Sequence, residues 1–369
     1  FNLSPTYYNG SFDTSGMTIL AGDTFHVEAS GVGMSMIVSS CSAAVQVSQV
    51  VDSVLLETTR GELGQWDFLK GIMTMFNLVT LVDDLNPGNL LIEPYSDVFI
   101  NNTNGGPGNL TLKDRSIQHD WTDKVDISEM ELNPITDLNK TTRFQFVEDD
   151  EDYVFNVLKA ANSGHPYGSL DFLASTSTNG LPTIFSGKKE IIAEPFAATV
   201  CKPLMAIFPN LITPAIYALN DDGTSEGFEI SPRIFYNNKK KDSGITYYMP
   251  AQNGQSSENE SHYLQFSHLS TIPSVSATTQ DFVFDSHQLV AGVGVPPVNN
   301  LYTNYWSPYF NELYNADTRT MTLKVNLSPS DIATFKFYDL VMIKNRTFRV
   351  NKIEYKPNSL AKVEFILIP

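Results

Sequence analysis

Basic residues, cysteine and long apolar runs are all scarce in this sequence, and each scarcity removes a class of function. Lys and Arg number 24 against 41 Asp and Glu in 369 residues, a net charge of −17. Affinity for nucleic acid comes largely from cations that neutralise phosphates, so a general DNA- or RNA-gripping surface is excluded. Cys41 and Cys201 are too few for a disulfide framework or a four-ligand zinc site. No apolar run approaches the roughly 18 residues of a membrane span, so membrane insertion is not expected. No signal peptide opens the chain, and Phe1 reads as a trimmed or processed start. What is present is 42% hydrophobic residue with only 18% charge, enough to build cores and too little charge for a disordered chain. At roughly 150 residues per domain, two or three domains are expected.

Chemistry-bearing motifs are missing as well. There is no GxSxG, HExxH, Walker-type GxxxxGK or complete GxGxxG. Gly31-Val32-Gly33 and Gly292-Val293-Gly294 lack the third glycine and read as turns or close-packing sites. The histidines are scattered. His262 and His268 have an even separation that would put both on one strand face, yet no Cys or acidic ligand accompanies them. Asp120, Asp123 and Asp126 surround Trp121 and read as strand-and-turn polar residues, not as the paired carboxylates of a glycosidase. Asp149, Asp150, Glu151 and Asp152 read as a solvated loop. Residues 220–227 read as a hairpin tip. Neither a cofactor nor an enzymatic activity is expected.

Strand signals dominate the rest: β-branched and aromatic stretches such as 25–27, 143–147 and 230–236, punctuated by Ser, Thr, Asn, Gly and Pro. Three runs near the end, 340–343, 348–355 and 362–368, are separated by short turns and predict an antiparallel meander. Trp66, Leu69, Ile72/Met73 and Phe76 recur at three- and four-residue steps, the period of a buried helix face over 66–77, though Gly71 weakens that helix by about 1 kcal/mol relative to Ala. A strand at 78–82, a turn at 84–88 and a strand at 90–93 complete a helix-strand-turn-strand unit. Further helices are predicted at 308–314 and after Ser328, whose hydroxyl caps a helix with Pro329 in its first position. The polar stretches 101–109 and 253–261 read as exposed loops.

Several phrases, taken together in order, carry a resemblance. They are Asp67-Phe68-Leu69, Met75-Phe76-Asn77-Leu78-Val79, Leu91-Ile92-Glu93-Pro94-Tyr95, Asp120-Trp121-Thr122-Asp123, Arg143-Phe144-Gln145-Phe146 and Pro166-Tyr167-Gly168. Tyr309-Phe310-Asn311-Glu312-Leu313-Tyr314, Asp317-Thr318-Arg319, Leu327-Ser328-Pro329 and Phe348-Arg349-Val350-Asn351 follow. From about Asp67 onward the chain resembles virion structural proteins of tailed bacteriophages, mostly those infecting Bacteroidetes-type hosts, and within them the tail or baseplate hub.

That resemblance implies a mainly β, α+β fold: tail-tube-like β-barrel domains plus the helix-strand-turn-strand module. The resemblance does not reach residues 1–63, which are read as an N-terminal β segment, part of a first barrel; a small α/β module with following strands occupies 64–140. A central β-rich region at 141–300 and a C-terminal helix with meander at 301–369 follow. The implied role is a homotrimer in the phage tail that joins tail tube to spike, contacts other baseplate proteins and lets DNA pass without specific binding. Alternatives are a head-to-tail connector or distal-tail ring, or a glycan-binding or glycan-cleaving tail fibre or adhesin. Tyr302, Tyr305, Trp306, Tyr309, Phe310 and Tyr314 are the candidate interface: such a patch could stack on sugars, but a core or a subunit interface is its more frequent fate. Asp149, Asp150, Glu151 and Asp152 are the candidate acidic lining of the lumen, since a negative wall repels DNA phosphates.

Overall fold

A computed structural model describes residues 63–83, 86–100, 111–150, 152–174, 185–205, 208–215, 231–249, 258–272, 276, 278–285 and 297–368. These belong to one unit spanning 53–369. The readings placed on 1–62, 101–109, 220–227, Glu151 and Gly292-Val293-Gly294 lie outside them.

The helix-strand-turn-strand unit forms as its periodicity predicts: α1 (Gln65–Met75), β1 (Leu78–Val82) and β2 (Leu90–Pro94), the strands pairing antiparallel. The buried stripe of α1 differs from expectation. Phe68, Gly71, Ile72, Met75 and Phe76 face the core, and Trp66 points outward at 60% exposure. Gly71 sets this rotation. A Cβ there would sit 2.4 Å from the Glu194 carbonyl oxygen and 2.6 Å from Phe196 Cε2, so only glycine lets α1 approach the strand bearing Glu194 and Phe196 so closely. A short helix, α2 (Tyr95–Phe99), follows β2 directly.

The first core is built on a three-stranded sheet in the order β6-β5-β7, from β5 (Thr141–Val147), β6 (Leu170–Leu173) and β7 (Lys188–Ala197). Phe144 and Phe146 of β5, Phe155 of helix α3 (Tyr153–Ala161) and Phe196 of β7 are buried together. Sequence periodicity did not single out α3. Two antiparallel ribbons flank this region: β8 (Cys201–Met205) with β9 (Phe208–Pro214), and the long pair β10 (Tyr236–Met249) with β11 (Glu258–Ser267). Among the described residues neither ribbon gains a third strand. The β10–β11 ribbon exposes Tyr248, Leu264 and Phe266.

Two loop-and-strand expectations are corrected here. Residues 231–235 are not strand, because Pro232 lacks an N–H and Arg233 is drawn into a buried charge cluster; β10 begins only at Tyr236. Residues 258–261, read as part of a polar loop, pair within β11, whose outward face tolerates polar side chains.

The second core lies under the terminal sheet. Helix α4 (Ser307–Leu313) leads to β12 (Arg319–Val325), α5 (Pro329–Thr334), β13 (Leu340–Ile343), β14 (Arg346–Glu354) and β15 (Ala361–Leu367). The predicted meander is β13-β14-β15, and Ser328 caps α5 in a reciprocal capping box with Asp331. Met321, Leu323 and Val325 alternate inward with Ala361, Val363 and Phe365, the two-residue period of a sheet with one buried face.

Residues far earlier in the chain complete this sheet. β3 (Gln118–Asp120) pairs parallel with β13 at one edge, while Val125 bridges to Val325 and β4 (Asn133–Pro134) pairs with β12 at the other. In a flat sheet those edges would be five strand spacings, about 24 Å, apart. The five residue steps from Asp120 to Val125 reach about 17 Å when fully extended. The sheet is therefore curled, and Trp121 fills its interior against Phe335 and Phe365 at ring separations of 5.4 and 6.2 Å. The architecture is mainly β with several sheets, none closed into a barrel among the described residues.

Candidate functional site

The richest concentration of chemically distinctive side chains is the aromatic segment 302–314. It opens as a widened turn over Tyr302–Trp306, in which the Ser307 N–H donates to the Tyr302 carbonyl five residues back. Pro308, lacking an N–H, cannot return a bond to Asn304, and the turn tightens into α4 beyond it. The backbone thus rotates the aromatics around the segment instead of leaving them on one outer stripe.

Each of the six candidate interface residues meets an internal partner. Trp306 packs tilted against Phe144 at 5.0 Å and Phe310 edge-on to it at 5.2 Å, Tyr302 lies 5.2 Å from Phe144, and Tyr314 lies 4.9 Å from Phe172. Tyr305 sits edge-on to Phe76 at 5.0 Å, and Tyr309 to Tyr95 at 4.6 Å. The polar ends are tied down too. Trp306 Nε1 donates to the Thr74 carbonyl at 3.0 Å, satisfying a group at the end of α1, and the Tyr314 hydroxyl donates to the Asn139 carbonyl at 2.8 Å. Burial pushes the Tyr302 phenol up to about 12 and raises those of Tyr305, Tyr309 and Tyr314. Of the fates open to this segment, Trp306, Phe310 and Tyr314 take the core, which removes them from the candidate interface, while Tyr302, Tyr305 and Tyr309 are half-buried on it. A cleft of about 670 Å³ remains where Trp306, Tyr309 and Leu313 meet Asn77, Lys189 and Glu190.

The acidic run is likewise turned to an internal use. Asp149 and Asp152 are buried around Arg233, with Asp152 Oδ2 2.7 Å from Nη1 and Asp149 Oδ2 3.3 Å from Nη2. Asp152 Oδ1 also accepts from the Phe155 N–H at 3.0 Å, capping α3, and Asp149 accepts from Ser231 N. The reading of these two as lumen-lining or solvated is corrected: a buried arginine needs both carboxylates to offset its desolvation. Asp150 is exposed.

His262 and His268 part company. The strand ends at Ser267, so His262 is exposed while His268 turns inward, its Nδ1 2.7 Å from Asp281 Oδ1 and its Nε2 3.0 Å from the Tyr167 hydroxyl. All three are buried, and burial raises the Tyr167 phenol well above its ordinary range and the nearby Cys201 thiol up to about 12. No group of three potential metal ligands converges among the described residues. Asp120 and Asp126 accept from Thr122 and Ser128 and build the turns beside Trp121.

Sequence reasoning missed one junction. Arg349 of β14 is buried, and its guanidinium donates to both oxygens of Glu312 on α4 and to the Tyr95 hydroxyl while lying over the Phe99 ring. The signal was an arginine between Phe348 and Val350, three consecutive buried positions that require cover on both faces of the strand. Compared with known proteins, the chain matches no family profile, no curated protein and no solved structure.

Proposed function

We propose that this chain is a structural virion protein of a tailed bacteriophage, forming the tail or baseplate hub that joins the tail tube to the spike. The observation that carries the reading is the curled terminal sheet, with one short segment laid along both of its edges around Trp121. Curling of this kind is what a tail-tube-like β-barrel domain requires, and the finer architecture proposed is a set of such barrels beside the α1–β1–β2 module. Assembly is supported by the β10–β11 ribbon. Its edges gain no third strand among the described residues, and it exposes Tyr248, Leu264 and Phe266, so a second chain laid against it would cover both. With the aromatic segment committed to the core, the proposed contact between copies moves from α4 to this ribbon.

The proposed protein acts through surfaces, as a homotrimer on the tail axis, and catalyses no reaction. Its charge of −17 suits a conduit through which DNA passes without specific binding. Electron microscopy of intact virions tests the reading through symmetry: three copies on the tail axis support a hub, twelve at a head vertex assign a connector, and a peripheral fibre overturns the proposal. Retention of duplex DNA by purified protein at low salt contradicts the conduit, since phosphate contacts are strongest there. Saturable polysaccharide hydrolysis abolished by one carboxylate-to-amide change contradicts the non-enzymatic role.

A further inference from the structure

A second cavity, of about 770 Å³, lies beside the terminal sheet and reverses the sign of the chain's charge. Its cations are Lys113, Arg319 and Arg346, none of which has a carboxylate partner among the described residues. Of its two carboxylates, Glu312 is already held by Arg349, which leaves Asp317 alone against three positive groups. In a chain with 41 acidic and 24 basic residues, such a local excess of cations is an exception that needs a cause. Burial first, and the neighbouring Arg349 charge second, pull the Lys113 ammonium below its ordinary range, against the opposing pull of Glu312 and Asp339.

Arg319 is set for a particular partner. Its Nη1 donates to the Ala316 and Thr318 carbonyls at 2.6 and 2.8 Å, which fixes the guanidinium plane. The Nε–Nη2 edge makes no hydrogen bond among the described residues, and this is the edge that grips a carboxylate with two parallel bonds. Phe99, Leu132 and Leu340 give the same cavity an apolar wall. Inorganic phosphate or nucleic-acid backbone makes no use of such a wall; a carboxylate adjoining a hydrophobic side chain uses both features.

We propose that this cavity binds an acidic peptide segment of a partner protein, with a carboxylate on the free edge of Arg319, a second near Arg346 and Lys113, and an apolar side chain against Phe99 and Leu132. The site is argued from this chain's own groups and stands or falls without the tail-hub reading.

The test uses the full chain and a fluorescein-labelled hexapeptide alternating Asp with Leu and Phe, followed by fluorescence anisotropy. Saturable binding is expected, weakened about tenfold by Arg319→Gln through loss of a charge-assisted bidentate contact. Arg346→Gln weakens it several-fold, while Lys352→Gln, on an exposed side chain of the same sheet outside the cavity, leaves it unchanged. Arg346 is exposed at a hairpin end, so that variant keeps the test decisive should Arg319→Gln fail to fold. Absence of saturable binding, equal binding of the Asn-for-Asp peptide, or affinity unchanged by Arg346→Gln overturns the proposal. Displacement by equimolar tripolyphosphate also overturns it, in favour of a phosphate site.

Discussion

Arg349 and Glu312 form a buried ion pair between the terminal sheet and the aromatic helix: Nη1 donates to Glu312 Oε2 at 3.1 Å, and Nη2 donates to Oε1 and to Tyr95 Oη. The two side chains are 5% and 12% exposed, so each depends on the other for its charge to be tolerated. Two hydrophobic cores meet here, because Glu312 sits on the helix packed into the first and Arg349 on a strand covering the second.

Glu312→Gln leaves Arg349 buried without a counter-charge and is expected to destabilise the chain by about 3 kcal/mol. Urea unfolding measures it, and a loss below about 0.5 kcal/mol would show that water reaches the guanidinium. The Arg349→Met/Glu312→Leu double variant is expected to recover most of the loss, because no charge then remains to be solvated.

Gly71→Ala is expected to destabilise even though alanine is the better helix former. Propensity favours the change by about 1 kcal/mol. The added methyl meets the Glu194 carbonyl oxygen and the Phe196 ring well inside contact distance, and overpacking of a rigid neighbour costs about 1–3 kcal/mol. A lowered thermal midpoint checks the sign; a raised one would mean that α1 can withdraw from its strand.

Asp331 links stability to pH. The Lys124 ammonium at 2.5 Å, together with the Ser328 backbone and hydroxyl, holds its carboxyl at about 2, below the ordinary 3.8. The ionised form is the one the fold favours, so the contribution is complete above the ordinary value and lost as pH falls through about 2. Asp331→Asn is therefore expected to cost about 1 kcal/mol near neutrality, through loss of its charge-assisted bond to Lys124 and a weaker return bond in the capping box. Urea midpoints of the two proteins should converge towards pH 2, and a constant gap across that range would contradict the assignment.

Lys344 and Asn345 connect β13 to β14 as a two-residue hairpin turn with φ of +47° and +63°. Asparagine tolerates that region far better than lysine. Lys344→Asn is expected to stabilise by about 0.5 kcal/mol, read as a rise in the urea midpoint without a change in slope.

Much of the local structure was legible because its cause is local. Alternation and two short turns define β13-β14-β15, and a capping serine followed by proline defines α5. What escaped was set by partners distant in sequence. The parallel pairing of β3 with β13 leaves no periodic trace in either segment. The stretch around Arg233 has strand composition, yet Asp149 and Asp152 claim its arginine. The tyrosines and Trp306 have the amphipathic character of an interface, and the chain itself supplies the covering rings through Phe76, Phe144 and Phe172. Their burial is real; only the identity of the covering surface was unreadable.

The curled sheet imposes an order in time. His119 and Asp339, hydrogen-bonded across the β3–β13 edge, are 220 residues apart, and Trp121 has no cover until the strands beyond 319 exist beside it. During synthesis a large indole and a raw strand edge therefore stay exposed while the intervening chain emerges at about 5–20 residues per second. Closure of so long a loop also places this module among slow-folding, non-local topologies. The lag makes the 118–134 segment the natural client of a chaperone, and it makes a fragment cut before residue 319 a sticky one.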